Sequence, residues 1–338
     1  MSNVMKAVVC TAYGQPEVLQ VQDAAIPIPK EDELLIRVHA SSITTADSMM
    51  RTGNPRYVRL FLGLSKPKHP ITGTGFAGTV AATGKAVQSF EIGDAVYGET
   101  TVSFGTNAEY VCVPANGIVR SLPAHLSFEA AAVMCDGPVT SLNFLKNLAG
   151  LKPGQKVLIN GASGSLGVAA IQIAKHKGAE VTAVCSAANA ELVKSLGADY
   201  VIDYTTTDFT QAGKLYDVVY DTVGKSSFAA SKQVLTPTGI YMCPVLSMKL
   251  LGQMMMNRLR GGKKVKFDAT GLKPAPVIKN MLQELEEMMA NDEYNPVIER
   301  RYVMDEITEA HSYIDTGRKR GNIVLSVTQG KYLEGLFT

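Results

Sequence analysis

Between Lys152 and Ala179 the chain carries residues whose types and spacing suit the binding of a dinucleotide's phosphates. Val157, Leu158 and Ile159 form an apolar run of strand length. Gly161, Ala162, Ser163, Gly164, Ser165, Leu166 and Gly167 follow it. Leu166, Ala169, Ala170, Ile173 and Ala174 then recur at helical spacing until Lys177 and Gly178. Strand, glycine loop and helix, in that order, is the setting of a pyrophosphate cradle. One glycine admits a tight turn, one lets backbone amides approach the phosphates, and one lets the helix pack close to the sheet. The helix start adds unpaired N–H groups and partial positive charge. Glycines alone also serve plain turns; the flanking strand and helix favour a nucleotide here.

The next strand decides which nicotinamide dinucleotide suits the cradle. An acid at its end would accept hydrogen bonds from the ribose 2′-OH and repel a 2′-phosphate. Val181 to Ala190 holds no acid, whereas Ser186 and Asn189 are small polar groups able to bond a phosphate. NADPH (the NADP couple) is therefore expected, although Asn189 also reads simply as a helix cap. Later strand ends add Val223 and Val245 to the expected cofactor contacts.

These residues need a scaffold. Residues 1 to about 124 read as short β-branched strands punctuated by Gly and Pro, the pattern of a small β-barrel. From 125 to 268 strands alternate with helices, which calls for a parallel sheet with helices on both faces. Within it a helix is expected over Ser226–Leu235. Residues 269–338 carry two helices and a strand, 322–327, able to rejoin the first domain. The expected class is thus α/β: a β-barrel domain plus a Rossmann-type, doubly wound domain.

Net charge +2 argues against nucleic acid as a partner. The start of the chain lacks the apolar core of a signal peptide, and no run approaches a membrane span. The five cysteines form no C-x-x-C pair, so a reducing, cytoplasmic setting is expected. Leu246–Lys266 combines four methionines with six basic residues. Amphipathic helices usually face a core, so this stretch is expected to line a substrate cleft or a dimer edge, and membrane contact is not expected.

Taken together, Gly154, Gln155, Leu158, Ala162, Ser163, Gly164, Gly167, Gln172 and Lys175 resemble the signature of the zinc-independent quinone oxidoreductase group, save Ser165 where the signature has Gly. With Leu196 to Asp199 and Gly317 to Asn322, the resemblance to the medium-chain dehydrogenase/reductase superfamily spans nearly the whole chain. It implies a GroES-like barrel joined to a Rossmann domain, a cleft site between them, and a homodimer. It also implies that Tyr204 and Asn322 approach the cofactor, that Thr140 lies near the nicotinamide, and that Tyr57 donates a proton or stacks on substrate. Thr44 stands where Asn is common, and Asp47 fixes its loop. Zinc-dependent relatives place ligands at positions matching Thr44, Thr74 and probably Asp136. Two hydroxyls and a carboxylate are a poor zinc set, so no metal is expected. The resulting expectation is an NADPH-dependent, zinc-independent reductase of a quinone or an enone or enal. The alternatives are an NADP-dependent alcohol dehydrogenase and a weakly catalytic NADPH-binding sensor.

Overall fold

A computed structural model describes residues 4–258 and 262–327. In chain order, β1 (Val4–Cys10) and β2 (Leu19–Ala25) pair antiparallel, and β3 (Glu33–Ile43) leads into α1 (Thr45–Thr52) and the single turn α2 (Arg59–Leu62). Then come β4 (Gly75–Thr83), β5 (Ala95–Glu99), β6 (Tyr110–Pro114), β7 (Ile118–Ser121) and α3 (Phe128–Ala132). The helix α4 (Gly137–Leu142) runs on as a π-helix, Asn143–Ala149. Next are β8 (Lys156–Asn160), α5 (Ser165–His176), β9 (Glu180–Cys185), α6 (Ala190–Ser195), β10 (Tyr200–Asp203) and β11 (Tyr216–Asp221). The chain continues through α7 (Phe228–Ser231), β12 (Leu235–Met242), α8 (Met248–Arg258), β13 (Lys264–Lys266) and α9 (Ala275–Ala290). It closes with β14 (Ile298–Val303), α10 (Ile307–Asp315) and β15 (Asn322–Ser326).

Two compact units result. The first comprises 1–136, 274–282 and 298–338, the second 137–273 and 283–297. The division falls later than the change of composition near residue 124, because α3 packs on β3, β4 and β5. The span 283–297 joins the second unit, where the Gln172 amide donates to the Asn295 carbonyl and accepts from its N–H.

In the first unit the sheet order is β14-β15-β3-β4-β5-β7, with β6 also on β3. Leu34, Ile36 and Val38 alternate inward from β3, since successive side chains of a strand face opposite sides. They meet Phe76, Val96 and the Ile307–Ala310–Ile314 stripe of α10. β2, β7 and β14 were not foreseen from composition. Their sequences are partly polar or charged, as in Ile298–Val303, and pairing with β1, β5 and β15 supplies the order.

The second unit is a six-stranded parallel sheet, β10-β9-β8-β11-β12-β13. This is the doubly wound order, whose switch point lies between the first and fourth strands, here β8 and β11. Val157, Leu158 and Ile159 are all fully buried, as suits a strand covered on both faces. The continuous helix expected over Ser226–Leu235 is not formed. Ser227 caps a single turn, a 3-10 turn follows at Lys232–Val234, and Leu235 already opens β12. Pro237 disfavours helix at the residue before it. Among the described residues no helix is long and apolar enough to cross a membrane. The Met-rich stretch does form a helix, α8, although residues 259–261 lie outside the described ones.

Candidate active site

β8 is followed by Gly161, whose φ of +78° favours glycine. A Cβ there would meet Val223 Cγ2 at 2.2 Å and Thr222 Oγ1 at 2.6 Å. A Cβ at Gly167 would meet the Gly161 carbonyl oxygen at 2.3 Å, so α5 crosses β8 only because that side chain is missing. Gly164 differs. It is the N-cap of α5, no side chain caps the helix there, and its added Cβ would have one neighbour, at 3.5 Å. The helix start is thus open on the side of Gly164, which fits a phosphate bound by backbone N–H groups.

Beside this opening Asn189 donates from Nδ2 to Ser163 Oγ at 3.0 Å, a contact that the capping reading of Asn189 did not include. Ser186, half-buried, follows β9, whose C-terminal end carries no acid. Asp203, the register partner of Cys185, accepts from the Thr205 N–H at 2.9 Å and its hydroxyl at 2.8 Å. Tyr204, Val223 and Val245 are exposed at the ends of their strands. Ala162 is buried, as is most of Ser165, and the Leu166 carbonyl accepts from Ser141 Oγ. Thr140, on α4, belongs to the same unit. Asn322, by contrast, is a buried residue opening β15 in the other unit.

Sequence reasoning passed over Asp221. It sits fully buried at the end of β11 and accepts hydrogen bonds from Asn160 Nδ2, the N–H groups of Gly224 and Ser226, and the Tyr241 hydroxyl at 2.9–3.0 Å. This carboxylate holds the turn that presents Val223. Its place at the C-terminal end of a parallel strand was the available signal.

In the first unit Thr44 and Asp47 form a capping box on α1. Asp47 Oδ2 accepts from the Thr44 N–H (2.8 Å) and hydroxyl (3.0 Å), and Oδ1 accepts from the Gly73 N–H (3.1 Å). Burial pushes the Asp47 carboxyl up to about 6 against those hydrogen bonds. Burial, with the charges of Asp136 and Asp47, pushes Glu99 up to about 8. Asp136 is also raised by burial, with Lys319 opposing. Nothing in the sequence pattern singled out Glu99 or Lys319, because their grouping exists only after folding.

The far end of α1 is fixed by Arg51, which is fully buried. It pairs with Asp315 of α10, donates to the Gly14 carbonyl at 2.6 Å and to His311 Nδ1 at 3.3 Å. Burial and the Arg51 charge hold His311 down at about 4, hence neutral. Beyond α1, Arg59 lies over the Tyr13 ring and donates to the carbonyls of Thr52 and Gly53. That clamp sets the turn bearing Tyr57, which is half exposed.

The chain's similarities agree with this architecture. A family model described as "Alcohol dehydrogenase GroES-like domain" matches residues 30–124, and one described as "Zinc-binding dehydrogenase" matches 196–325. The chain is 31% identical to the 2-methylene-furan-3-one reductase of Solanum lycopersicum, covering 95% of this chain and 79% of that one. It is 32% identical to the mitochondrial NAD(P)H oxidoreductase RTN4IP1 of Mus musculus, covering 96% and 90%. Among solved structures, the quinone oxidoreductase of Coxiella burnetii matches with a TM-score of 0.87 at 30% identity, over 96% of this chain and all of that one. The zinc in one family description is not matched by donors here. Thr44 Oγ1 is turned to Asp47, and no group of three His, Cys, Asp or Glu among the described residues is placed to hold a metal ion. With the glycine cradle, the doubly wound sheet and these relatives in agreement, the chain belongs to the medium-chain dehydrogenase/reductase superfamily, in its quinone oxidoreductase-like group, and is an oxidoreductase.

Proposed function

We propose that the protein is an NADPH-dependent, zinc-independent reductase of quinones or α,β-unsaturated carbonyls. The observation that carries the reading is the open start of α5 at Gly164 beside the Ser163–Asn189 pair. Backbone N–H groups of the loop and helix start would hold the pyrophosphate. Ser163, Ser186 and Asn189 would receive the 2′-phosphate, since no carboxylate stands at the C-terminal end of β9 to repel it. Val223 and Val245 would line the ring-bearing half of the dinucleotide. When bound, NADPH supplies the hydride.

The names of the relatives support the acceptor class, since one reduces a 2-methylene-furan-3-one and another is a quinone oxidoreductase. Such acceptors are electrophilic enough to accept hydride without a Lewis acid. The protein then has to orient the acceptor and deliver one proton. Tyr57 is the proposed donor, and Thr44, Asp47 and Thr140 the proposed positioning groups. The Thr44–Asp47 capping box keeps that hydroxyl in one rotamer, which serves positioning better than proton transfer.

The test mixes metal-stripped protein with NADPH and follows its absorbance with a benzoquinone, a 2-alkenal, a cyclic enone and a saturated aldehyde. Oxidation with quinone or enone but not with the saturated aldehyde is expected. NADPH should exceed NADH in kcat/KM by about tenfold or more, some 1.4 kcal/mol of transition-state discrimination. Turnover of the saturated aldehyde alone, and only after zinc is restored, would overturn the reading.

A further inference from the structure

Glu99 closes β5, half-buried, and among the described residues no hydrogen bond or cation offsets its carboxyl. Burial and the charges of Asp136 and Asp47 all act on it in one direction, while the Lys319 charge acts on Asp136 and Glu299. The elements packed against β5 are β4, β7 and α3. Their charged residues have other partners: Arg120 of β7 donates to the Lys279 carbonyl, and Glu129 of α3 pairs with Arg301. The register partner of Glu99 is Gly75 of β4, and such partners point to the same face of a sheet. A Cβ on Gly75 would meet Ser42 Oγ at 2.5 Å and the Ala132 carbonyl oxygen at 2.7 Å. Ser42 and the C-terminal end of α3 therefore stand on the face that bears Glu99. Ser42 is 3% exposed, and its hydroxyl has no partner among the described residues. A buried hydroxyl left unpaired costs free energy that a bound oxygen would restore. The Thr100 N–H, one residue past Glu99, donates to the Thr74 carbonyl at 2.9 Å and fixes the end of β5.

We infer that Glu99, as a neutral carboxylic acid, donates a hydrogen bond to the carbonyl oxygen of the acceptor, with the Ser42 hydroxyl as a second donor. A carboxyl held neutral by its surroundings can stabilise a developing oxyanion in this way. The acceptor takes the hydride of NADPH, leaving NADP⁺, and its oxygen gains negative charge. The Glu99 proton is shared with that oxygen and stays on Glu99. The one proton that completes the reduction comes from Tyr57, as proposed above, and Tyr57 regains it from water. An ionised Glu99 would repel the same oxygen, so the acid acts only while protonated. An enone is a weaker electrophile than a quinone and depends more on the two donors.

Because the inference rests on the reductase reading, the parent is assayed first, with NADPH and either a benzoquinone or a cyclic enone. Turnover of neither overturns that reading and this inference together. Glu99→Leu should lower kcat with the enone about 100-fold, the usual worth of one donor to a developing oxyanion. With the quinone the loss should be smaller, and NADPH affinity should not move. Glu99→Gln keeps a donor and should retain about a tenth or more of the parent's kcat. Ser42→Ala should slow the enone about fivefold, as loss of one neutral hydrogen bond does. In the parent, kcat should fall as pH rises through about 8 and the acid loses its proton. The Gln variant, with Asp47, Asp136 and Lys319 still in place, should lack that fall. Equal losses for quinone and enone, a Gln variant as slow as the Leu variant, an unaffected Ser42→Ala, or full enone turnover by Glu99→Leu would each overturn the inference and leave the reductase reading intact.

Discussion

Glu99 keeps its proton well above the pH at which an unfolded chain loses it. Its pKa of about 8 against an ordinary 4.5 means the folded state binds more protons between those values. Stability from this group is therefore full below about 4.5 and falls as pH rises through about 8. Glu99→Gln keeps the neutral form, so its melting temperature should exceed that of the parent at pH 8.5, and the difference should shrink by pH 5. Parallel pH profiles of thermal melting would contradict this. His311 has the opposite sign: its folded pKa is depressed to about 4, so stability present above 6.5 is lost as pH falls towards 4. Tyr57→Phe probes the proposed proton transfer. If Tyr57 is the donor, enone turnover should fall about 100-fold or more, while NADPH affinity, read by fluorescence titration, should not move. A variant with full turnover would leave the ring as a stacking group only. At this scale the sequence named the loop glycines, Ser163 and Asn189, because their chemistry is local. It could not name Glu99 or Arg51, whose roles arise from partners far away in the chain, such as Asp136 and Asp315, whereas Asp221 was passed over despite its place at a strand end.

At the level of elements, the contact of α5 with β8 depends on one missing side chain. Gly167→Ala would drive a Cβ into the Gly161 carbonyl. Overpacking of this kind costs about 1–3 kcal/mol, and it would also move the helix start that receives the phosphates. Calorimetry should show a lower melting temperature together with weakened NADPH binding, whereas Gly150→Ala, with nothing near its Cβ, should leave NADPH binding intact. The helix α1 depends on Arg51 in a comparable way. Arg51→Met removes hydrogen bonds from a charged donor worth about 1.5–3 kcal/mol, and half-exposed Asp315 regains water. Urea unfolding should register that loss without a change in nucleotide affinity, since Arg51 lies in the first unit and the cradle in the second. The strands of the second unit were legible because a run such as Val157–Ile159 is buried on both faces and reads as continuous apolar sequence. β2 and β14 were not, because Gln20, Gln22, Asp23, Glu299 and Arg300 hide the strand signal that their neighbours impose.

For the whole molecule, the proposed absence of a metal role predicts indifference to chelation. Prolonged dialysis against a strong chelator should shift neither the melting temperature nor quinone turnover, and elemental analysis should find zinc well below one atom per chain. A shift in melting temperature on chelation would point to a structural ion. The two-part organisation was visible in composition, since β-rich and alternating βα segments differ in period. Where the parts divide was not, because α3 looks helical in sequence yet packs on the first unit's strands, and α9 is divided between the two units.

The strand β15 lies between β14 and β3 in the first unit's sheet. The first unit therefore needs residues from both ends of the described chain, while the second draws only on 137–273 and 283–297. During synthesis β3 leaves the ribosome some 280 residues before β15 does, and the part of its edge at Ala40–Ile43 waits unpaired beside the stretch that β6 covers. The nucleotide-binding unit has all its strands by then. A growing chain can thus acquire cofactor affinity before β15 completes the sheet of the first unit.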